Sequence, residues 1–301
     1  MLLMAGIVII LGLSVGYCSY EYALRMVTDH KKNEMADTVN RIDININFWG
    51  LETTRLAQRI VGRGIAKEAL LERETEADGY LHGWISDYAH IIEAVSDIAI
   101  FDRDQNLRYH YLAKNTRLRD AKRLNACFEA AQANQKGEAW LGVGESLYQD
   151  AEVVTLAKAV PVQGNAVGGI LVIEIHPEIF RSLLLNNQSL PNGQYTFIVD
   201  KNGQILCTNR KVQPDWAKQI ETAFQDGKRS FILERAEGDY YVCGQYNGLT
   251  GWKTYSVAAV QEIFPQASQL GATTAMVVVL AVLAALAAVG VISYSITVPI
   301  K

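Results

Sequence analysis

The sequence predicts an α+β chain: a long N-terminal helix, then two tandem antiparallel-sheet units, flanked by two transmembrane helices. Three observations predict it. Charged side chains lie between Glu21 and Glu262 apart from Lys301, which leaves an apolar segment at each end. From about residue 21 to 75, apolar residues recur at alternating steps of four and three. A strand–turn–strand pattern near residue 100 returns near residue 200.

Composition bounds the class. The 301 residues carry 28 Lys+Arg against 32 Asp+Glu, a net charge of −4, and half of them are hydrophobic. With 20% charged residues the chain is not a many-pass membrane protein, and it is not basic enough to hold nucleic acid. Six prolines and 23 glycines exclude collagen-like and low-complexity classes.

Residues 1–20 (MLLMAGIVIILGLSVGYCSY) match the length needed to cross a hydrocarbon core of roughly 30 Å. A cleaved signal peptide would start basic and carry a short apolar core. This segment has neither feature, so an uncleaved anchor is expected, and the missing basic flank points to a natural start upstream. Residues 269–296 are apolar on every face, which a soluble helix does not tolerate, and form the second expected span. Ala284, Ala285, Ala287, Ala288 and Gly290 leave room for close helix approach there. Two spans put both termini on one side of a cell membrane. Lys301 favours a cytoplasmic C-terminus, so residues 21–268 are expected outside. Because the sequence stops just past the second span, a cytoplasmic output is expected beyond it.

Residues 21–95 read as a helical stalk and a second helix. Met35, Val39, Ile42, Ile46, Trp49, Leu56 and Ile60, with Thr53 at the remaining step, form one stripe. Gly62 and Gly64 end or bend the helix. The stripe packs along its own domain or, on a second reading, also on a twin helix in a homodimer. A second helical stretch covers about 77–95.

The repeat follows. Ile98-Ala-Ile-Phe-Asp102-Arg-Asp-Gln-Asn-Leu107 aligns with Thr196-Phe-Ile-Val-Asp200-Lys-Asn-Gly-Gln-Ile205. Asp and Asn belong in such turns because they bond local backbone. Each copy continues with a helix (about 118–135 and 214–226) and three more strands. Each ends in a strand running into Glu-Ile-Phe, at 178–180 and 262–264. The units span 96–186 and 187–268.

This order resembles the double Cache domain, an extracellular sensing module of bacterial transducers with a long helix and two PAS-like units. The resemblance rests on Phe101-Asp102-Arg103-Asp104, on Val199-Asp200-Lys201-Asn202-Gly203 and on Gly248-Leu-Thr-Gly-Trp252, and it covers 21–268. It implies that 96–186 is membrane-distal and 187–268 membrane-proximal. Ser293-Tyr-Ser-Ile-Thr-Val-Pro299-Ile-Lys301 resembles the start of a HAMP linker, at 297–301. The combination is most similar to Gram-positive sensor histidine kinases that accompany sugar and peptide uptake systems. Chemoreceptors and cyclic-dinucleotide enzymes share the same front end.

The resemblance also implies a ligand pocket in the distal unit, within residues 108–160. Tyr109, Tyr111, Trp140, Tyr148 and Asp150 are the candidates, offering stacking faces, hydroxyls and a carboxylate to a sugar, amine or amino acid. The spaced Tyr, Arg, Trp, Tyr and Asp set of the amino-acid-binding subfamily is not met in order. A partner such as a solute-binding protein is the alternative to a small molecule.

Catalytic motifs are missing: there is no P-loop, G-x-S-x-G, H-E-x-x-H or G-x-G-x-x-G. No catalytic residue, cofactor or metal is expected. The five histidines are scattered, and the Asp102 and Asp200 turns lack the bidentate Glu of a calcium loop. Cys207 and Cys243 fall on strands that are not neighbours in a PAS-like sheet, so no disulfide is expected.

Overall fold

The computed structural model describes residues 2–71, 93–111, 117–162, 167–185, 193–212, 214–225, 229–236, 238–263, 275–288 and 290–291. The expected second helix (77–95) falls almost wholly outside them, as do the HAMP-like tail (297–301) and parts of the span at 269–296. Among the described residues no helix is long and apolar enough to cross a membrane.

Helix α1 runs from Leu2 to Gly62 without a break. Of its stripe, Met35, Val39, Ile42, Ile46, Thr53, Leu56 and Ile60 are buried and Trp49 is partly so. Gly64 stops it: its φ of 84° is left-handed, which glycine adopts without strain, and α2 (Ile65–Leu70) starts directly after.

Two five-stranded sheets follow. The first contains β1 (Val95–Asp102), β2 (Leu107–His110), β3 (Glu138–Glu145), β4 (Glu152–Pro161) and β5 (Val167–Ile175), with α3 (Ala121–Ala133) between β2 and β3. After α4 (Glu178–Leu185) the second contains β6 (Tyr195–Val199), β7 (Ile205–Thr208), β8 (Ser230–Leu233), β9 (Tyr240–Tyr246) and β10 (Lys253–Ala259). Helix α5 (Pro214–Gln225) lies between β7 and β8, and the short α6 (Val260–Ile263) follows β10. The orders are β2-β1-β5-β4-β3 and β7-β6-β10-β9-β8, the same arrangement twice. First and last strands of each unit are neighbours; in the first sheet Val95 pairs with Ile175.

Both first hairpins turn on an aspartate. Asp102 Oδ1 accepts the amides of Asp104 and Asn106 at 2.9 Å, and Asp200 Oδ1 accepts those of Asn202 and Gln204 at 2.8 Å. The repeat read in sequence is therefore a repeat of turn chemistry as well.

The chain divides into two compact bodies: 1–36, 232–241 and 258–301 in one, and 37–231 with 242–257 in the other. In the first, the amino-terminal part of α1 lies against helical residues 275–288. A Cβ at Gly12 would stand 2.8 Å from Val282, and one at Gly16 would overlap Val278, so both glycines allow the helices to meet. Ile10, Leu13, Val15, Met276, Val279 and Leu280 stay exposed there.

In the second body, Ile42, Ile46, Leu56 and Ile60 of α1 share a core with Ile98, Ile100, Leu156, Leu171 and Ile173 of the first sheet. Each such side chain contributes about 1.5–3 kcal/mol on burial. Trp252, leading into β10, stands edge-on to Trp140 of β3 (5.6 Å between centroids) and to Phe180 of α4 (5.1 Å). Cys127, Cys207 and Cys243 are buried free thiols. Strands β6 and β10 separate the latter two, as expected from the strand order.

Candidate functional site

Side chains alternate across a strand, so Asp97, Ala99 and Phe101 of β1 share the face turned to α3. That face is apolar: Ala99, Phe101, Leu124, Cys127, Phe128, Ala157 and Val172 form one cluster. A polar row interrupts it at one end. Asp97 pairs with Glu174 of β5, and Glu174 pairs with Thr155 of β4. All three are buried.

The segment after β3 closes over this row. Ser146 Oγ donates to Glu174 Oε2 at 2.5 Å, and the Leu147 amide donates to Oε1 at 2.7 Å. Ser146 Oγ in turn accepts the amides of Tyr148 and Gln149, at 3.2 and 3.1 Å. Gln149 Nε2 reaches the Ser96 carbonyl at 3.1 Å. From the other side comes Arg123, in the first turn of α3, where Asp120 caps the helix by accepting the Arg123 amide at 2.9 Å. Its guanidinium donates to the Gly142 carbonyl and Thr155 Oγ1 at 2.8 Å, and to the Val153 carbonyl at 3.2 Å.

Burial pushes the Glu174 carboxyl above the usual carboxylate range, and the charge of Asp97 adds to this; Ser146, Leu147 and Arg123 oppose it. Burial, with Asp97 and Glu174 nearby, also pushes the Tyr148 phenol up. Its hydroxyl has no hydrogen-bond partner among the described residues. The row thus joins two buried carboxylates, the Arg123 guanidinium and an unengaged hydroxyl on one face of the sheet.

On the corresponding face of the second sheet the acid is paired within the chain. Glu221 of α5 forms an ion pair with Lys253 and accepts the Tyr255 hydroxyl at 2.8 Å.

The five residues singled out from sequence do not converge. Tyr148 lies in the apolar cluster beside the polar row, 6.1 Å from the His110 ring and stacked on Phe101 at 6.3 Å. Asp150, two residues on, has a 91% exposed side chain and an Arg119 partner at 3.1 Å. Tyr109 and Trp140 belong to the core on the opposite face, and Tyr111 packs against it. Strand alternation is the reason: His110 and Leu141 turn toward α3, so their neighbours turn away. Asp97, Glu174, Ser146 and Arg123 were not singled out. A charge inside each of two apolar strand runs was the available signal. Among the described residues no group of three His, Cys, Asp or Glu could hold a metal ion.

No family model and no curated protein matches the chain. Solved structures do, among them ligand-binding domains of two chemoreceptors and of Mlp24. The ligand-binding domain of Campylobacter jejuni chemoreceptor Tlp3, in complex with L-valine, has a TM-score of 0.57 at 13% identity, covering 80% of this chain and 98% of that one. The ligand-binding domain of Pseudomonas fluorescens chemoreceptor CtaA, in complex with L-isoleucine, gives 0.53 at 14% identity, with 81% and 98% covered. The ligand-binding domain of Mlp24 with asparagine gives 0.56 at 13% identity, with 83% and 99% covered. At these identities the likeness is one of fold: a long N-terminal helix and two antiparallel sheets, as in these sensor domains.

Proposed function

We propose that the chain is the extracytoplasmic ligand-sensing and transmembrane region of a bacterial signal-transduction receptor, and that its distal unit takes a small amine or amino acid at the Asp97–Glu174 row. The observation that carries the reading is the pair of buried carboxylates beside the unengaged Tyr148 hydroxyl. A ligand ammonium placed there would offset the repulsion between the two acids and could donate to the Tyr148 hydroxyl. The internally paired Glu221–Lys253 face supports assigning the ligand to the distal unit alone. A sugar is disfavoured by this charge.

The exposed apolar side chains around Gly12, Gly16, Val278 and Val282 support membrane spans at 1–20 and 269–296, with 21–268 outside the cell. Ile44, Phe48 and Leu51, exposed on one face of α1, support a homodimer through the stalk. For the output we propose a histidine kinase following a HAMP linker. A chemoreceptor output is the second reading, favoured by the similarity to chemoreceptor domains. Either way, ligand would act through its differential affinity for two receptor states.

The test is a thermal-shift screen of the purified chain in detergent against amines, amino acids, sugars and carboxylates. A ligand at 100 times its Kd stabilises by roughly 2.7 kcal/mol. Amines or amino acids should shift the wild type and leave Glu174→Gln unmoved. A shift with sugars alone would overturn the ligand class. No shift with folded protein would favour a partner such as a solute-binding protein.

A further inference from the structure

A second cleft, away from the polar row, lies between turns of the two sheet units. It encloses about 300 Å³. Lys136 from the turn before β3 lines it, with Trp140 of β3, Lys201 from the β6–β7 turn, Tyr246 at the end of β9, and the 248–251 turn. Local hydrogen bonds hold each wall. The Lys136 amide donates to Asn134 Oδ1 at 2.9 Å. Asp200 caps the turn that carries Lys201. Asn247 Oδ1 accepts the amides of Leu249 and Thr250, at 3.1 and 3.0 Å.

The donors here lack acceptors. Lys136 and Lys201 are exposed and have no ion-pair partner among the described residues. Trp140 keeps its indole N–H buried without an acceptor. An indole N–H can only donate, so this group is unsatisfied among the described residues. The acid in the cleft, Glu138, is already neutralised by Lys158 at 2.7 Å. Two free cations on preorganised turns beside aromatic walls call for an acceptor-rich guest.

We propose that this cleft is a binding site for a small oxyanion, a phosphate or carboxylate group, held between Lys136 and Lys201. The guest would join the first sheet to the turns of the second, and so would favour the arrangement in which they are closely apposed. The volume leaves space for a carbon skeleton attached to the anionic group.

The test is calorimetric titration of the purified chain in detergent with inorganic phosphate, against chloride at matched ionic strength. Saturable uptake is expected. Lys136→Gln and Lys201→Gln should each weaken it about tenfold, the loss of one charge-assisted hydrogen bond, and the double variant should abolish it. Lys211→Gln, an exposed lysine outside the cleft, should bind as wild type. Glu174→Gln should also bind normally, which separates this site from the polar row. Circular dichroism confirms that the variants fold. No saturable uptake, or uptake that survives in the folded double variant, would overturn the proposal.

Discussion

Asn247 Nδ2 donates to Asp43 Oδ1 at 2.8 Å, joining the β9–β10 turn to the stalk helix across 204 positions of sequence. The same amide's oxygen accepts three donors from Leu249 and Thr250, so one side chain both shapes the turn and fastens it. Asp43 is 8% exposed, and burial pushes its carboxyl up despite the bond from Asn247. Asn247→Ala should therefore leave a buried acid short of a donor and cost about 1.5–3 kcal/mol, a typical range for a hydrogen bond to a charged group. Urea unfolding measures it; a loss below about 0.5 kcal/mol, the scale of an ordinary surface substitution, would mean that the contact is incidental.

Gly142 tests the approach of the Asp200 turn to β3. A Cβ at this position would overlap the Asp200 carboxylate, which already holds its own turn. Gly142→Ala should cost about 1–3 kcal/mol, as overpacking does. Gly248→Ala, with nothing within 4 Å of the added carbon, is the comparison. Thermal unfolding of the two variants should rank them in that order.

Glu174 sets a pH dependence whose sign follows from its raised pKa. The native state holds the proton more tightly than the unfolded chain does. Its contribution to stability is therefore full below the unfolded value near 4.5 and is lost as pH rises through the native one. Glu174→Gln keeps polar partners for Ser146 and Leu147 and removes the titration. Its stability relative to wild type should rise with pH across that window. A cationic ligand favours the ionised acid, so wild-type affinity should strengthen over the same rise. Denaturant melts and titrations at several pH values check both; parallel stability profiles for the two proteins would refute the assignment.

The three thiols of the sheet units should be inert. Burial pushes Cys127 and Cys207 up to about 12 and Cys243 to about 11, so little thiolate exists at pH 8. A thiol reagent such as DTNB should modify none of the three before denaturant is added. Fast native labelling of any one would show that its sheet opens readily.

Much of this architecture was legible in the residues because it depends on short-range rules. The four–three stripe of α1 buries as its spacing requires, and Asp102 and Asp200 cap matching turns. The site was less legible. Tyr109 and Trp140 have the chemistry of a binding surface, but strand phase turns them into the core beside the stalk. Glu174 sits in the apolar run Ile-Leu-Val-Ile-Glu-Ile, and its significance comes from Asp97 on the neighbouring strand. The Asp43–Asn247 bond is a meeting of distant positions that no local pattern encodes.

The pairing of Val95 with Ile175 has a consequence for how such chains diversify. Where the backbone passes into the first sheet and where it departs lie one interstrand spacing apart, about 5 Å. The stretch between therefore leaves and rejoins the trunk at neighbouring strands, so its turns and covering helix can lengthen or acquire new chemistry while both attachment points stay where they are.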